Sequence, residues 1–215
     1  MQDLAIFGCG YLEVIKLVEA LNRSQPRWRL RGFIDDRPEM QGVELLGYPV
    51  LGDRSVLAEL GASGAALFNN VTGKVVNAMR IAALLEATGC PIASLVHPAV
   101  DMAHVRIGRG CILPEGCVVG TGTVIGNYLA ARLHVVISHD VTIEDHVFIG
   151  PGAVLGGGVH VEAGAFIGAG VTVMPGLRIG RQSMIGAGAL VAEDVAPNVT
   201  LAGVRGRIVK PEGRE

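Results

Sequence analysis

The chain has 215 residues, half of them hydrophobic, and its formal net charge is −2. This length suffices for two small domains, and without a cluster of lysines or arginines the composition argues against nucleic acid as a partner. No eighteen apolar residues run together, which argues against a membrane span. A strand that begins at Leu4 leaves no room for a secretory signal, so we expect a cytoplasmic protein.

Residues 1–96 alternate between strand and helix patterns. An apolar run ends in Gly8 and Gly10, and residues 11–22 then place apolar side chains at helical spacing. Further strands are predicted at 28–36 and 64–70, a hairpin-like pair at 42–53, and helices at 55–60 and 74–89. Strands that alternate with helices predict a small parallel sheet, similar to half of a Rossmann fold.

From Ile107 to Val191 an inward apolar residue is predicted at every sixth position. Fourteen of these fifteen residues are Ile, Leu or Val, and the exception is Ala131. Glycine directly follows the apolar residue in eight repeats and stands three residues after it in nine, where tight corners favour it. This is the hexapeptide repeat of a parallel β-helix. Three hexapeptides form one coil, so we predict a five-coil prism over 97–196 and a cap and tail over 197–215.

One coil, residues 131–148, contains no glycine and carries three histidines, His134, His139 and His146. Histidine is tolerated at left-handed corners at some cost, so solvated imidazoles are one interpretation. A functional site is the other, and His139 followed by Asp140 is its best candidate for a general base. Imidazole accepts a proton near neutral pH, and a carboxylate can fix its tautomer. The other two histidines either line the same cleft or are solvated.

A metal site is an alternative for this coil, because three histidines and Asp140 have suitable ligand chemistry. No ligand pair at i, i+2 or i, i+4 spacing supports it, and we predict no metal. The cysteines also lack metal-ligand spacing and are expected to be buried small side chains. They are Cys9, Cys90, Cys111 and Cys117.

The combination of an α/β half containing FIDD and a hexapeptide prism containing ISHDVTIEDHVFIGPGAVLGGGV resembles one enzyme family. The chain is similar to sialic acid O-acetyltransferases and bacillosamine N-acetyltransferases of the NeuD/PglD type. This resemblance implies a Rossmann-like α/β domain followed by a left-handed parallel β-helix, in a homotrimer. It also implies an acetyl-CoA-dependent enzyme of surface-glycan biosynthesis that acetylates an amine or hydroxyl of a sugar, often a nucleotide-linked one.

The resemblance also implies roles for individual residues. His139 would deprotonate the acceptor in a ternary complex, Asp140 would orient His139, and the N–H of Gly157 would hold the oxyanion. Acetyl-CoA would lie in the groove between neighbouring prisms. The residues assigned to acetyl-CoA are Gly157, Phe148, His146 and Ala169. The residues assigned to the acceptor and its carrier are Gly8, Gly10, Tyr11, Asp35, Asp36, Arg37 and His134.

The sequence departs from the family pattern in its first turn, its central coil and its C-terminal element. The turn reads FGCGYLEV where the family has G-x-G-G-H, and the closing G-x-P-A-[KR] reads GVRGR at 203–207. Phe148 aligns with a second family histidine, and Arg132 aligns with a family asparagine. A dinucleotide dehydrogenase is disfavoured, because Glu13 replaces the third glycine of G-x-G-x-x-G. The alternative function is a non-catalytic or metal-binding trimer, either a sugar-nucleotide binder or a carbonic-anhydrase-like protein.

Overall fold

The computed structural model describes residues 1–203, which form an α/β unit followed by a three-sided prism. The sheet of the first unit has the order β3-β4-β2-β1-β5, and all its pairs are parallel except the β3–β4 hairpin. Its strands are β1 (Gln2–Phe7), β2 (Trp28–Ile34), β3 (Glu44–Leu45), β4 (Tyr48–Gly52) and β5 (Ala66–Asn69). Its helices are α1 (Glu13–Ser24), α2 (Leu57–Ser63) and α3 (Val75–Glu86), with short 3₁₀ turns at Pro38–Met40 and Arg54–Val56. The predicted alternation of strands and helices is confirmed.

Both faces of β1 are buried, which explains its continuous apolar run. Leu4 and Ile6 pack in the same core as α1, whereas Ala5 and Phe7 pack with residues of α2 and α3. Side chains alternate along a strand, so a central strand covered on both sides has no polar face. No helix within residues 1–203 is long and apolar enough to cross a bilayer.

The prism has three parallel sheets, which we call faces 1, 2 and 3. Face 1 contains β7 (Arg106–Ile107), β10 (Val124–Ile125), β13 (Thr142–Ile143), β16 (His160–Val161) and β19 (Arg178–Ile179). Face 2 contains β6 (Leu95–Val96), β8 (Ile112–Leu113), β11 (Ala130–Ala131), β14 (Phe148–Ile149), β17 (Phe166–Ile167), β20 (Met184–Ile185) and β22 (Thr200–Leu201). Face 3 contains β9 (Val118–Val119), β12 (Val136–Ile137), β15 (Val154–Leu155), β18 (Thr172–Val173) and β21 (Leu190–Val191).

From β7 to β21, neighbouring strands of each face pair at a spacing of eighteen residues, for example Val124 with Thr142 and Ile125 with Ile143. The apolar residues that recur at every sixth position point inward and form one continuous core. Five coils of three hexapeptides are therefore confirmed.

Glycine is favoured at two positions of the repeat, for a different physical reason at each. At the third position after the inward residue the backbone is left-handed, and there His134, Asp140 and His146 have φ of 59°, 57° and 59°. His and Asp tolerate this conformation better than most residues. At the first position the next coil is too close for a side chain, since a Cβ on Gly150 would lie 2.5 Å from the nitrogen of Ala169.

The first unit rests on face 2 of the prism. Ile92 bridges to Leu67 in the first sheet, and β6 then pairs with β8 in face 2, so prism pairing begins before residue 97. The hydroxyl of Tyr128 donates a hydrogen bond to Glu86 at the end of α3 (2.8 Å). The boundaries 1–96, 97–196 and 197–215 remain predictions. The GVRGR element, apart from Gly203, lies outside the described residues.

Candidate active site

His139 and Asp140 lie at the corner between face 3 and face 1, after β12 and before β13. Oδ2 of Asp140 is 2.8 Å from Nδ1 of His139, and the two side chains are 66% and 70% exposed. When the carboxylate accepts a hydrogen bond from Nδ1–H, the lone pair of Nε2 is left to take a proton. The pair therefore has the geometry of an oriented general base.

Gly157 lies one coil further along the prism, directly beside the imidazole of His139. A Cβ on Gly157 would be 2.6 Å from Nε2, so only glycine leaves room for the ring. The neighbouring N–H of Gly158 donates to the carbonyl of His139 (3.0 Å), whereas the N–H of Gly157 has no acceptor within residues 1–203. An unpaired backbone donor therefore lies beside the base, as the predicted oxyanion role requires.

The three histidines of the central coil lie at three different corners and do not share a site. His134 follows β11 at the corner between faces 2 and 3, where its exposed ring covers Gly116. His146 precedes β14 between faces 1 and 2, stacks on Tyr128 at 4.9 Å, and has its pKa lowered by burial. Residues 1–203 contain no group of three or more His, Cys, Asp or Glu side chains that could hold a metal ion.

A cleft of about 950 Å³ lies between the first unit and part of face 2. It brings together six of the seven residues predicted to bind the acceptor. These are Gly8, Gly10, Tyr11, Asp35, Asp36 and Arg37. The seventh, His134, lies outside this cleft, in a depression beside Glu13 and Lys16 of α1.

The first turn is held by the backbone conformation of Gly8 and by the side chain of Asn70. Gly8 has φ of +102°, and a Cβ there would lie 2.7 Å from a methyl group of Val71. The side-chain amide of Asn70 donates to the carbonyls of Gly8 (2.9 Å) and Tyr11 (3.0 Å). Asn70 is thus a positioning residue that the sequence patterns did not reveal.

The two carboxylates after β2 are engaged within the protein. Asp35 is buried and accepts hydrogen bonds from the Arg37 side chain (2.9 Å) and the Cys9 N–H (3.0 Å). The Arg37 hydrogen bonds, aided by backbone donors, hold the pKa of Asp35 well below its usual range. Asp36 pairs in the same way with Arg54. Because both carboxylates are already paired, the groups available to a ligand at the cleft rim are the half-exposed guanidinium groups of Arg37 and Arg54.

The four residues predicted to bind acetyl-CoA lie far apart on the surface of a single chain. Phe148 lines the cleft, where it stacks on Phe166 at 4.5 Å. Ala169 is exposed after β17 at the corner between faces 2 and 3, away from Gly157. His146 is half-buried beside α3, in a recess that also contains Val75 and Ala78. A single chain therefore does not assemble these four residues into one site.

The cleft lining also includes residues that were not predicted to bind a ligand, among them Thr72, Arg132 and Phe166. The sequence does mark Arg132 as unusual, because it directly follows an inward residue, at a position that is glycine in eight of the fifteen repeats. Thr72 and Phe166 have no such signal. All four cysteines are free and buried, as predicted.

Two family models match the prism. One describes the bacterial transferase hexapeptide (six repeats) and matches residues 158–193, and the other describes the hexapeptide repeat of succinyl-transferase and matches residues 140–175. A search of curated protein sequences gives no match.

Solved structures match nearly the whole chain. GDP-perosamine N-acetyltransferase from Caulobacter crescentus, crystallised with CoA and GDP-perosamine, is 27% identical with a TM-score of 0.85, and the match covers 98% of both chains. The acetyltransferase domain of PglB from Neisseria gonorrhoeae, in complex with acetyl coenzyme A, is 27% identical with a TM-score of 0.83 over 94% of this chain and 96% of that chain. WeeI from Acinetobacter baumannii has the same identity and TM-score over 94% and 97%.

The predicted fold class, an α/β domain followed by a left-handed parallel β-helix, is confirmed by these comparisons. The predicted resemblance to sugar acetyltransferases of the NeuD/PglD type is confirmed as well, by similarity that extends over almost the whole chain.

Proposed function

We propose that this protein transfers the acetyl group of acetyl-CoA to an amino group of a nucleotide-linked sugar. The observation that carries the proposal is the oriented His139–Asp140 pair beside the unpaired N–H of Gly157. It occurs in a chain that is similar over 98% of its length to an N-acetyltransferase crystallised with CoA and a nucleotide sugar. Hydroxyl acceptors can use the same base, but the solved relatives named as N-acetyltransferases favour an amine.

In this mechanism His139, Asp140 and Gly157 have different roles. Nε2 of His139 accepts a proton from the acceptor nitrogen while that nitrogen attacks the thioester carbonyl. Asp140 stabilises the imidazolium that forms, and the Gly157 N–H donates to the developing oxyanion. His139 then returns the proton to the departing thiolate, so that CoA leaves as its thiol and the base is regenerated.

The base and the cleft must come from different copies of the chain. The corner that carries His139 lies between faces 3 and 1, opposite face 2, which forms one wall of the cleft. One chain therefore cannot hold an acceptor in its own cleft and present it to its own His139. In a closed ring, each copy can place the corner that carries His139 against the cleft of the next copy, so that the base reaches the acceptor.

Face 3 has the apolar surface that such a ring needs. Its outward positions carry Val118, Val136, Val154 and Leu190 in one ladder, interrupted only by Thr172. Val118 is 56% and Leu190 is 55% exposed. Because an apolar stripe that reaches solvent marks an interaction surface, we assign face 3 to a homotrimer interface. In that trimer the groove for acetyl-CoA is formed by Gly157 of one copy and Ala169 of its neighbour.

Thiol release from acetyl-CoA tests the proposed function. Wild-type protein and His139→Ala are compared on a panel of nucleotide-linked amino sugars, nucleotide sugars without an amine, and free sugars. We expect release with an amino-sugar nucleotide and a loss of about 10² to 10⁴ in rate in the variant, which should keep its oligomeric state. Unchanged activity in His139→Ala would remove this residue as the base. Absence of release with every acceptor, together with absence of CoA binding, would favour a non-catalytic prism.

A further inference from the structure

Arg132 is a buried arginine in the wall of the cleft. It follows β11 on face 2, and only 8% of its surface is exposed. Its guanidinium carbon lies 3.9 Å from the centroid of the Tyr11 ring and 5.1 Å from that of Phe148. One nitrogen of the guanidinium donates to the hydroxyl of Thr72. The side chain therefore lies where the first unit meets the prism and forms part of the cleft lining.

Arg132 differs from Arg37 and Arg54 because it has no counter-ion, and from Arg80 of the same cleft because Arg80 is exposed to solvent. Arg37 and Arg54 each pair with a carboxylate, Asp35 and Asp36 respectively. For Arg132 there is no ion pair within residues 1–203, and burial lowers its pKa. Its Nη1 atom is buried without a hydrogen-bond partner in the described part of the chain, and so is the hydroxyl of Tyr11.

A purely structural role does not account for this charge. Burying an arginine without a carboxylate is unfavourable, and stacking on aromatic rings compensates for only part of the lost hydration. A neutral side chain of similar length could make the contacts with Tyr11 and Phe148 without that cost. The guanidinium is a planar fork of donors that suits phosphate and carboxylate oxygens. The missing partner is thus expected to be an anion that enters the cleft.

We propose that Arg132 binds an oxyanion of the acceptor, either a phosphate of its nucleotide carrier or a carboxylate on its sugar. The proposal rests on the proposed function for the identity of the ligand, but not for its charge. In it, the acceptor spans the cleft from the Gly8–Gly10 turn to the Phe148–Phe166 stack, with its anionic group at Arg132. Arg132 thereby selects acceptors that carry an anionic group at this place over uncharged sugars.

Calorimetric titration with defined probes tests the inference without relying on activity. The probes are inorganic pyrophosphate, UDP, GDP, UDP-glucose and UDP-glucuronic acid, added to the CoA-saturated protein. Arg132→Met keeps the length of the side chain and removes its charge, and Arg132→Lys keeps the charge and removes the fork. Arg106→Met is the matched control, because Arg106 is an exposed arginine on face 1, outside the cleft.

We expect Arg132→Met to weaken binding of the anionic probe by about ten- to a hundredfold, Arg132→Lys to weaken it less, and Arg106→Met to leave it unchanged. Equal losses for UDP, GDP and UDP-glucose would identify the diphosphate as the partner. A wild-type preference for UDP-glucuronic acid over UDP-glucose that disappears in Arg132→Met would identify a sugar carboxylate.

Affinities in Arg132→Met within about twofold of wild type would overturn the inference, as would a wild-type protein that binds none of the probes. If Arg132→Met does not fold, wild type is compared with Arg132→Lys, which keeps the charge and lacks the guanidinium. Equal affinity of these two proteins for the anionic probes would then overturn the inference. Thiol release on the same preparations separates the two proposals. Unchanged release and affinity would refute the role of Arg132 alone, whereas Arg132-dependent binding without any release would refute the acetyltransferase alone.

Discussion

A Cβ atom on Gly157 would lie 2.6 Å from Nε2 of His139, so the glycine of one coil leaves space for the base of the coil before it. Because Gly157 is not among the residues with positive φ, alanine would cause no backbone strain there. Any effect of Gly157→Ala should therefore act through the imidazole and the space beside it.

Gly157→Ala is expected to reduce thiol release by about tenfold or more while the fold is kept, because small displacements of a positioned base are costly. Steady-state kinetics and a thermal melt measure the two effects. Gly61→Ala is the control, since a Cβ at this position in α2 meets only ordinary contacts at 3.7 Å. It should leave activity unchanged and raise the free energy of unfolding by up to about 1 kcal/mol. Full activity of Gly157→Ala would show that the imidazole is not confined as the structure indicates.

Mixed oligomers should recover activity that each parent lacks. His139→Ala removes the base, and Gly10→Trp fills the cleft at a position where no atom lies within 4 Å of a Cβ. If the base and the cleft come from different copies, each mixed trimer restores one intact site, about one third of the wild-type number. Purification through two different tags followed by thiol-release assays measures the recovery. No recovery in verified mixed trimers would place base and acceptor in the same copy.

Val118→Glu is expected to dissociate the oligomer, because it places a charge on the apolar ladder of face 3. Activity should fall with it, although His139 is unchanged. Val76→Glu is a matched control, since Val76 lies on α3 and is also 56% exposed. Sedimentation velocity distinguishes monomer from trimer. A trimeric and active Val118→Glu protein would exclude face 3 as the interface.

Asp35→Asn is expected to destabilise the first unit at neutral pH by about 1 to 3 kcal/mol. The Arg37 hydrogen bonds lower the pKa of Asp35 in the folded state. Its contribution to stability is therefore complete above the ordinary aspartate pKa of about 4 and is lost as pH falls toward the lower folded-state pKa. The difference between variant and wild type should shrink below about pH 4. Urea unfolding at pH 7 and pH 3, followed by the fluorescence of buried Trp28, measures it. An equal difference at both pH values would contradict this account.

Residue types and their spacing were sufficient to predict the prism, its five coils and the His139–Asp140 pair. Pairing between residues eighteen apart depends on a repeat that is visible in the sequence, and an inward residue every six positions defines the three faces. Adjacent residues at one corner need no long-range information to meet, which is why this pair could be named in advance.

Only the tertiary structure showed which other side chains meet. It separated His134 and His146 from His139, because successive hexapeptides turn to different faces. It also brought Arg132 to Thr72, sixty residues earlier, and to Tyr11 in the first turn. These contacts depend on how the first unit rests on face 2. That packing arises from the shapes of two folded surfaces, and no local period in the sequence records it.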